Sequence, residues 1–133
     1  MKKIILTVVS VVLGGCTLHN SPYRAADISL TQNGQPCFAV PNDSLTKGGK
    51  SKLLVIRVAE RFPDNYMHPV WERDYKSEPT FSVQPGTCLP VDYHFEKGKE
   101  YTIDAITAFS VSEVETKRIW LASFTLEKLA ERK

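Results

Sequence analysis

The sequence of 133 residues is short of several things, and each shortage excludes a class of function. It holds three cysteines and three histidines, with no Cys-x-x-Cys and no His-x-x-x-His, so a metal site lacks its usual ligand spacing. Formal net charge is only +2, and the Lys and Arg residues are spread along the chain, which argues against an electrostatically driven nucleic-acid binder. The one long apolar run falls short of the ~20 residues that cross a bilayer as a helix. There is no Gly-x-Ser-x-Gly elbow, no Ser-x-x-Lys and no phosphate loop. No internal repeat, low-complexity block or second-domain linker interrupts the chain. With 42% hydrophobic and 24% charged residues, composition is that of one ordinary globular domain, which argues against disorder and against a collagen-like chain.

What is present begins with an address. Lys2 and Lys3 precede the apolar stretch Ile4 to Leu13, and Gly14, Gly15 and Cys16 follow. A basic start, a short apolar core and small residues describe a secretory leader rather than fold material. The string Leu13-Gly14-Gly15-Cys16 resembles a bacterial lipobox, which implies cleavage before Cys16 and acylation of that cysteine, palmitate included. Two or three acyl chains hold a protein firmly at a membrane where one does not. Thr17 rather than Asp follows Cys16, which by resemblance to Gram-negative lipoproteins implies the outer membrane, facing the periplasm. The expected organisation is a signal peptide (1–15), acylated Cys16 with a polar tether (16–25), and a β-sandwich domain (26–133). Lys2 and Lys3 belong to the leader, so the remaining chain carries fifteen basic and fifteen acidic side chains.

Cys37 and Cys88 then remain as an even pair in an oxidising compartment, which favours a disulfide over the competing metal-site reading. Extended signals recur around them. Asp27 to Gln32 reads as a strand ended by Asn33-Gly34, with Cys37 to Val40 as its hairpin partner. Leu53 to Val58 reads as a central strand buried on both faces, and Val70 to Tyr75 as a short strand. Phe81 and Val83 alternate. Val91, Tyr93 and Phe95 alternate strictly with Asp92, His94 and Glu96, which predicts a half-buried strand. Tyr101 to Phe109 and Trp120 to Leu126 continue the pattern, and Leu126 to Lys133 reads as a frayed turn or exposed tail. About eight short strands predict an all-β chain, a small antiparallel β-sandwich, immunoglobulin-like or similar, with one disulfide.

Chemistry is sparse. His19 falls in the tether and His68 in a polar loop. His94 shares a strand face with Asp92 and Glu96, where a solvated polar face outweighs a general base. Glu113 and Glu115, beside Lys117 and Arg118, read as charge patterning. The expectation is a protein that is not an enzyme and needs no cofactor or metal. The segment from Arg61 to Tyr75 mixes aromatics, Met and Arg with acids, as interfaces do, and Tyr66, Trp71, Arg73 and Tyr75 are its candidate anchors. The competing reading packs Trp71 into the core and leaves the rest as a wet loop.

The leader ending in Cys16, the turn Asn33-Gly34-Gln35-Pro36-Cys37, the pair Trp71-Glu72, and Gln84-Pro85-Gly86-Thr87-Cys88-Leu89-Pro90 followed by Tyr93, Phe95, Gly98 and Tyr101 carry a likeness. Together they resemble a family of short enterobacterial lipoproteins described as type VI secretion immunity proteins. The resemblance implies a lipid-anchored protein at the outer membrane whose partner is a periplasm-acting toxin, blocked by occlusion of its active site. It supplies no catalytic residues. An accessory lipoprotein of a secretion or envelope complex is the competing reading, and a periplasmic hydrolase or ligand-binding protein a third.

Overall fold

The structure, a computed structural model, describes residues 21–77 and 81–132. The expected leader, Cys16 and the first part of the tether lie outside the described residues. Among these residues seven strands, one 3-10 turn and one short α-helix follow in order: β1 (Tyr23–Ala25), β2 (Asp27–Leu30), β3 (Pro36–Ala39), β4 (Lys52–Arg61), β5 (Met67–Asp74), β6 (Tyr101–Ala108), the 3-10 turn (Val114–Thr116), β7 (Arg118–Phe124) and α1 (Leu126–Ala130). They form a five-stranded sheet in the order β1-β7-β6-β4-β5 and a two-stranded sheet β2-β3. The fold is all-β, a small sandwich closed by the disulfide between Cys37 and Cys88.

The branched run in β4 explains the centre of the large sheet. β4 pairs antiparallel with β5 on one side and β6 on the other, so its backbone is satisfied on both edges. Leu53, Ile56 and Val58 face one core with Tyr101, Ile103 and Ala105 of β6 and Trp120, Ala122 and Phe124 of β7. Phe38 and Val40 bring the small sheet onto that face. Leu54 is an extra residue in the β4–β6 register and turns with Val55 to the opposite face of the sheet, where Ala108 packs on them. On that outer face Arg57 makes a two-pronged ion pair with Asp104, at 2.9 and 3.1 Å.

The β2–β3 hairpin forms where Asn33-Gly34 places it. Gly34 has φ 81°, a left-handed turn conformation that costs glycine nothing. Thr31 closes the loop by donating to the Gln35 carbonyl at 2.8 Å. Residues 81 to 89 then stitch the sheets together. The Val83 amide donates to the Ser51 carbonyl, and further along the Leu89 amide donates to the Phe38 carbonyl, next to the disulfide.

Three features depart from the sequence reading. Val91 to Phe95 has the expected facing, with Phe95 buried and Asp92 and His94 exposed, but it is not a strand. Its backbone is met by a side chain instead: the Gln35 amide donates to the Phe95 carbonyl and accepts from the Phe95 amide. The last strand ends at Phe124. Thr125 caps α1 by accepting from the Lys128 amide at 3.1 Å, and Leu126 and Leu129 are buried, so this segment is no exposed tail. Finally, Tyr23–Ala25, assigned to the tether, is an edge strand that pairs with β7 in parallel, the one parallel pair among the described residues.

Register fixes two opposite ends of the large sheet. Tyr23, Arg118, Thr107 and Leu53 lie near one end; Phe124, Tyr101, Glu60 and Arg61 lie at the other. The ten residues of β4 separate these ends by about 30 Å.

Candidate functional site

The β4–β5 hairpin reaches beyond the second of these ends, and its sequence dictates the turn. Asn65 has φ 71°, a conformation asparagine tolerates better than other side-chain-bearing residues. Its amide donates to the Phe62 carbonyl at 2.8 Å, and the Phe62 amide donates to the Tyr66 carbonyl at 3.0 Å. Asp64 accepts the Tyr66 amide on one carboxylate oxygen at 3.0 Å and faces His68 Nε2 on the other at 2.8 Å. The His68 ring stacks on Phe62 at 4.3 Å between centroids. Pro63 and Asn65 complete a turn whose aromatic members have little cover: Tyr66 is 72% exposed and Phe62 37%.

Charges around this turn are paired with one another. Arg61 makes two bonds to Glu100, at 2.9 and 3.2 Å, and a third to the Asn65 carbonyl. Lys99 lies 3.0 Å from Glu96 and 3.5 Å from Glu60. A cleft of about 440 Å³ runs between the hairpin and the turn before β6, lined in part by Glu60, Phe62, Lys99 and Glu100. The arrangement is a frame of paired charges that presents two aromatic rings to solvent. Such rings supply contact area at little entropic cost to a protein partner.

The four candidate anchors do not form one patch. Tyr66 is at the hairpin tip. Trp71 and Tyr75 are half-buried and pack against the core. Arg73 is exposed and lies over the Tyr75 ring at 5.7 Å, and Tyr75 meets Phe81 at 5.8 Å, near the far end of β5. Pro69 and the extra residue Val70 interrupt the ladder between the two groups, which also discourages edge-to-edge pairing. Phe62 and His68 belong to the tip, and the run Phe62-Pro63-Asp64-Asn65 was the turn signal that could have found them. Glu100, 39 residues from Arg61, gave no such signal.

His94 and Asp92 line a cleft of about 320 Å³ with Asn33 and Gln35. Both side chains are exposed, and among the described residues neither makes a side-chain hydrogen bond, so nothing there fixes a proton-transfer geometry. Among the described residues no group of three or more His, Cys, Asp or Glu side chains is placed to hold a metal ion.

Asp64 makes the tip sensitive to acid. Its carboxyl is held below the ordinary carboxylate range, first by the Tyr66 amide and next by His68. A lowered value in the fold means the contact is complete above the ordinary value of about 4 and is lost only as pH falls through the lowered one. In an NMR titration the Tyr66 amide should therefore shift with a midpoint below about 4. A midpoint at or above that value would show the turn is not held by the carboxylate.

Fold and site together define a small disulfide-closed β-sandwich with an aromatic hairpin tip. Residues 23–129 match the family described as Domain of unknown function (DUF7480), and the chain belongs to that family. No curated protein and no solved structure matches it.

Proposed function

We propose that this protein is a lipid-anchored binding protein, acylated at Cys16 and held at the outer membrane, that blocks a toxin delivered into the periplasm by type VI secretion. The observation that supports it is the exposed Phe62–Tyr66 tip, presented at the end of the sheet opposite the one where the chain emerges from Ser21. A tether before Ser21 leaves that tip pointing away from the anchor, accessible to a soluble partner. The protein acts by occupancy, not by catalysis. Specificity comes from the two rings inside a rim of Arg61, Glu100 and Lys99. The lipobox and the likeness to immunity lipoproteins supply the partner class.

A competition assay tests the biological role. A strain lacking the gene should lose viability against its toxin-producing parent and recover when the gene is returned. If it survives as well as the parent while secretion is active, the immunity reading is wrong. At the molecular level, Tyr66→Ala and Phe62→Ala should each weaken binding to that toxin by about 2 kcal/mol, roughly thirtyfold. Unchanged affinity in both variants, with their fold intact, moves the contact face elsewhere.

A further inference from the structure

The end of the sheet near Ser21 has a different chemistry from the tip. A cleft of about 390 Å³ is lined there by Arg24, Lys117 and Arg118, together with Ser21, Val114 and Glu115. Backbone carbonyls hold the two guanidinium groups in place: Arg24 donates to those of Ser21 and Tyr23, at 2.7 and 2.8 Å, and Arg118 to that of Lys117 at 2.9 Å. Arg118 Nε is buried without a hydrogen-bond partner among the described residues. None of the three cations is in an ion pair among the described residues, unlike Arg57, Arg61 and Lys99. Two acids share the region. Glu113 accepts from the Ser110 hydroxyl at 2.9 Å, and Glu115 lines the cleft itself. In the loop between β6 and β7, Val111 and Val114 are 50% and 70% exposed, and Tyr23 on β1 is 56% exposed.

We propose that this end of the fold is a docking surface for an anionic phospholipid bilayer. Guanidinium and ammonium groups meet headgroup phosphates, and the two valines and Tyr23 settle at the apolar boundary. The length of chain before it argues for this occupant. Cys16 precedes Ser21 by five residues, a reach of at most about 18 Å. If Cys16 is acylated, the Ser21 end is the part of the domain kept against the membrane. The inference rests on that acylation.

Hydrogen exchange of the acylated full chain on vesicles of phosphatidylcholine, with or without phosphatidylglycerol, reads the contact directly. Amides of residues 109–118 should exchange more slowly only when phosphatidylglycerol is present. The variant Arg24→Gln/Lys117→Gln/Arg118→Gln should lose that protection while staying with the vesicles. Equal exchange on both vesicles overturns the docking surface and leaves anchorage standing. If the chain stays with neither vesicle, anchorage at Cys16 has failed separately. The surface is then judged by sedimenting the Cys16→Ser chain with phosphatidylglycerol vesicles. Each basic side chain near such a surface is worth about a fivefold gain in partition, so the triple variant should bind about a hundredfold more weakly. No difference between the two chains overturns the proposal.

Discussion

Trp120→Ala should lower stability by about 4 kcal/mol, a large share of the 5–15 kcal/mol that holds an ordinary domain together. Trp120 is 2% exposed on β7, opposite Ala105 of β6, and it is the largest side chain in the core. Its indole N–H donates to the Thr107 hydroxyl at 2.9 Å, and Thr107 is itself 1% exposed. Truncation opens a cavity that β6 and β7 cannot close without breaking their ladder, and it leaves the Thr107 hydroxyl without its donor. Trp120→Phe keeps most of the volume while removing the hydrogen bond, so it should cost much less, about 1–2 kcal/mol. Urea midpoints at constant slope measure both. A loss below about 1 kcal/mol for Trp120→Ala would mean the two sheets repack freely, contrary to a close-packed core.

Removing the disulfide should cost about as much, by a different route. The bond joins residues 51 apart, and the loop-closure entropy it takes from the unfolded chain corresponds to about 4 kcal/mol. That loop contains β4 and β5 entire, so the reduced chain must find the docking of β3 against residues 86–89 by contacts alone. In the Cys37→Ala/Cys88→Ala variant, native hydrogen bonds such as Leu89 amide to Phe38 carbonyl should persist. The denaturant slope should rise, since the unfolded chain expands further. A midpoint unchanged from that of the oxidised protein would show that the bond constrains neither state.

Much of the fold was legible because local chemistry and tertiary demand agree there. The run Leu53 to Val58 marked the central strand, although its outer face is covered only around Leu54 and Val55 and Arg57 there stays half exposed, and Asn33-Gly34 can do little but turn. Where they diverge, the local pattern misleads. Val91 to Phe95 alternates because Tyr93 and Phe95 pack on Tyr101, but alternation reports facing and is silent about backbone pairing, which Gln35 supplies from 60 residues away. Tyr23–Ala25 is short and exposed throughout, so nothing apolar marked it as a strand. At the candidate site, composition marked the segment that forms this hairpin, with Tyr66 exposed at its tip. It could not tell which aromatics of β5 point to the core, because the bulge at Val70 shifts the alternation on which such a reading depends.

The parallel pairing of β1 with β7 also sets how the domain bears load. β1 starts at the Ser21 end and runs toward the hairpin end, flanked by the bonds from the Ile119 amide to the Pro22 carbonyl and from the Ala26 amide to the Leu121 carbonyl, both 2.9 Å. A pull on the preceding chain, directed out of the Ser21 end, acts along the strand. It loads these bonds in shear, all together, instead of peeling them one at a time. A strand of three residues thus serves as a mechanical clasp, and the domain can be held by its leading end without being unravelled from it.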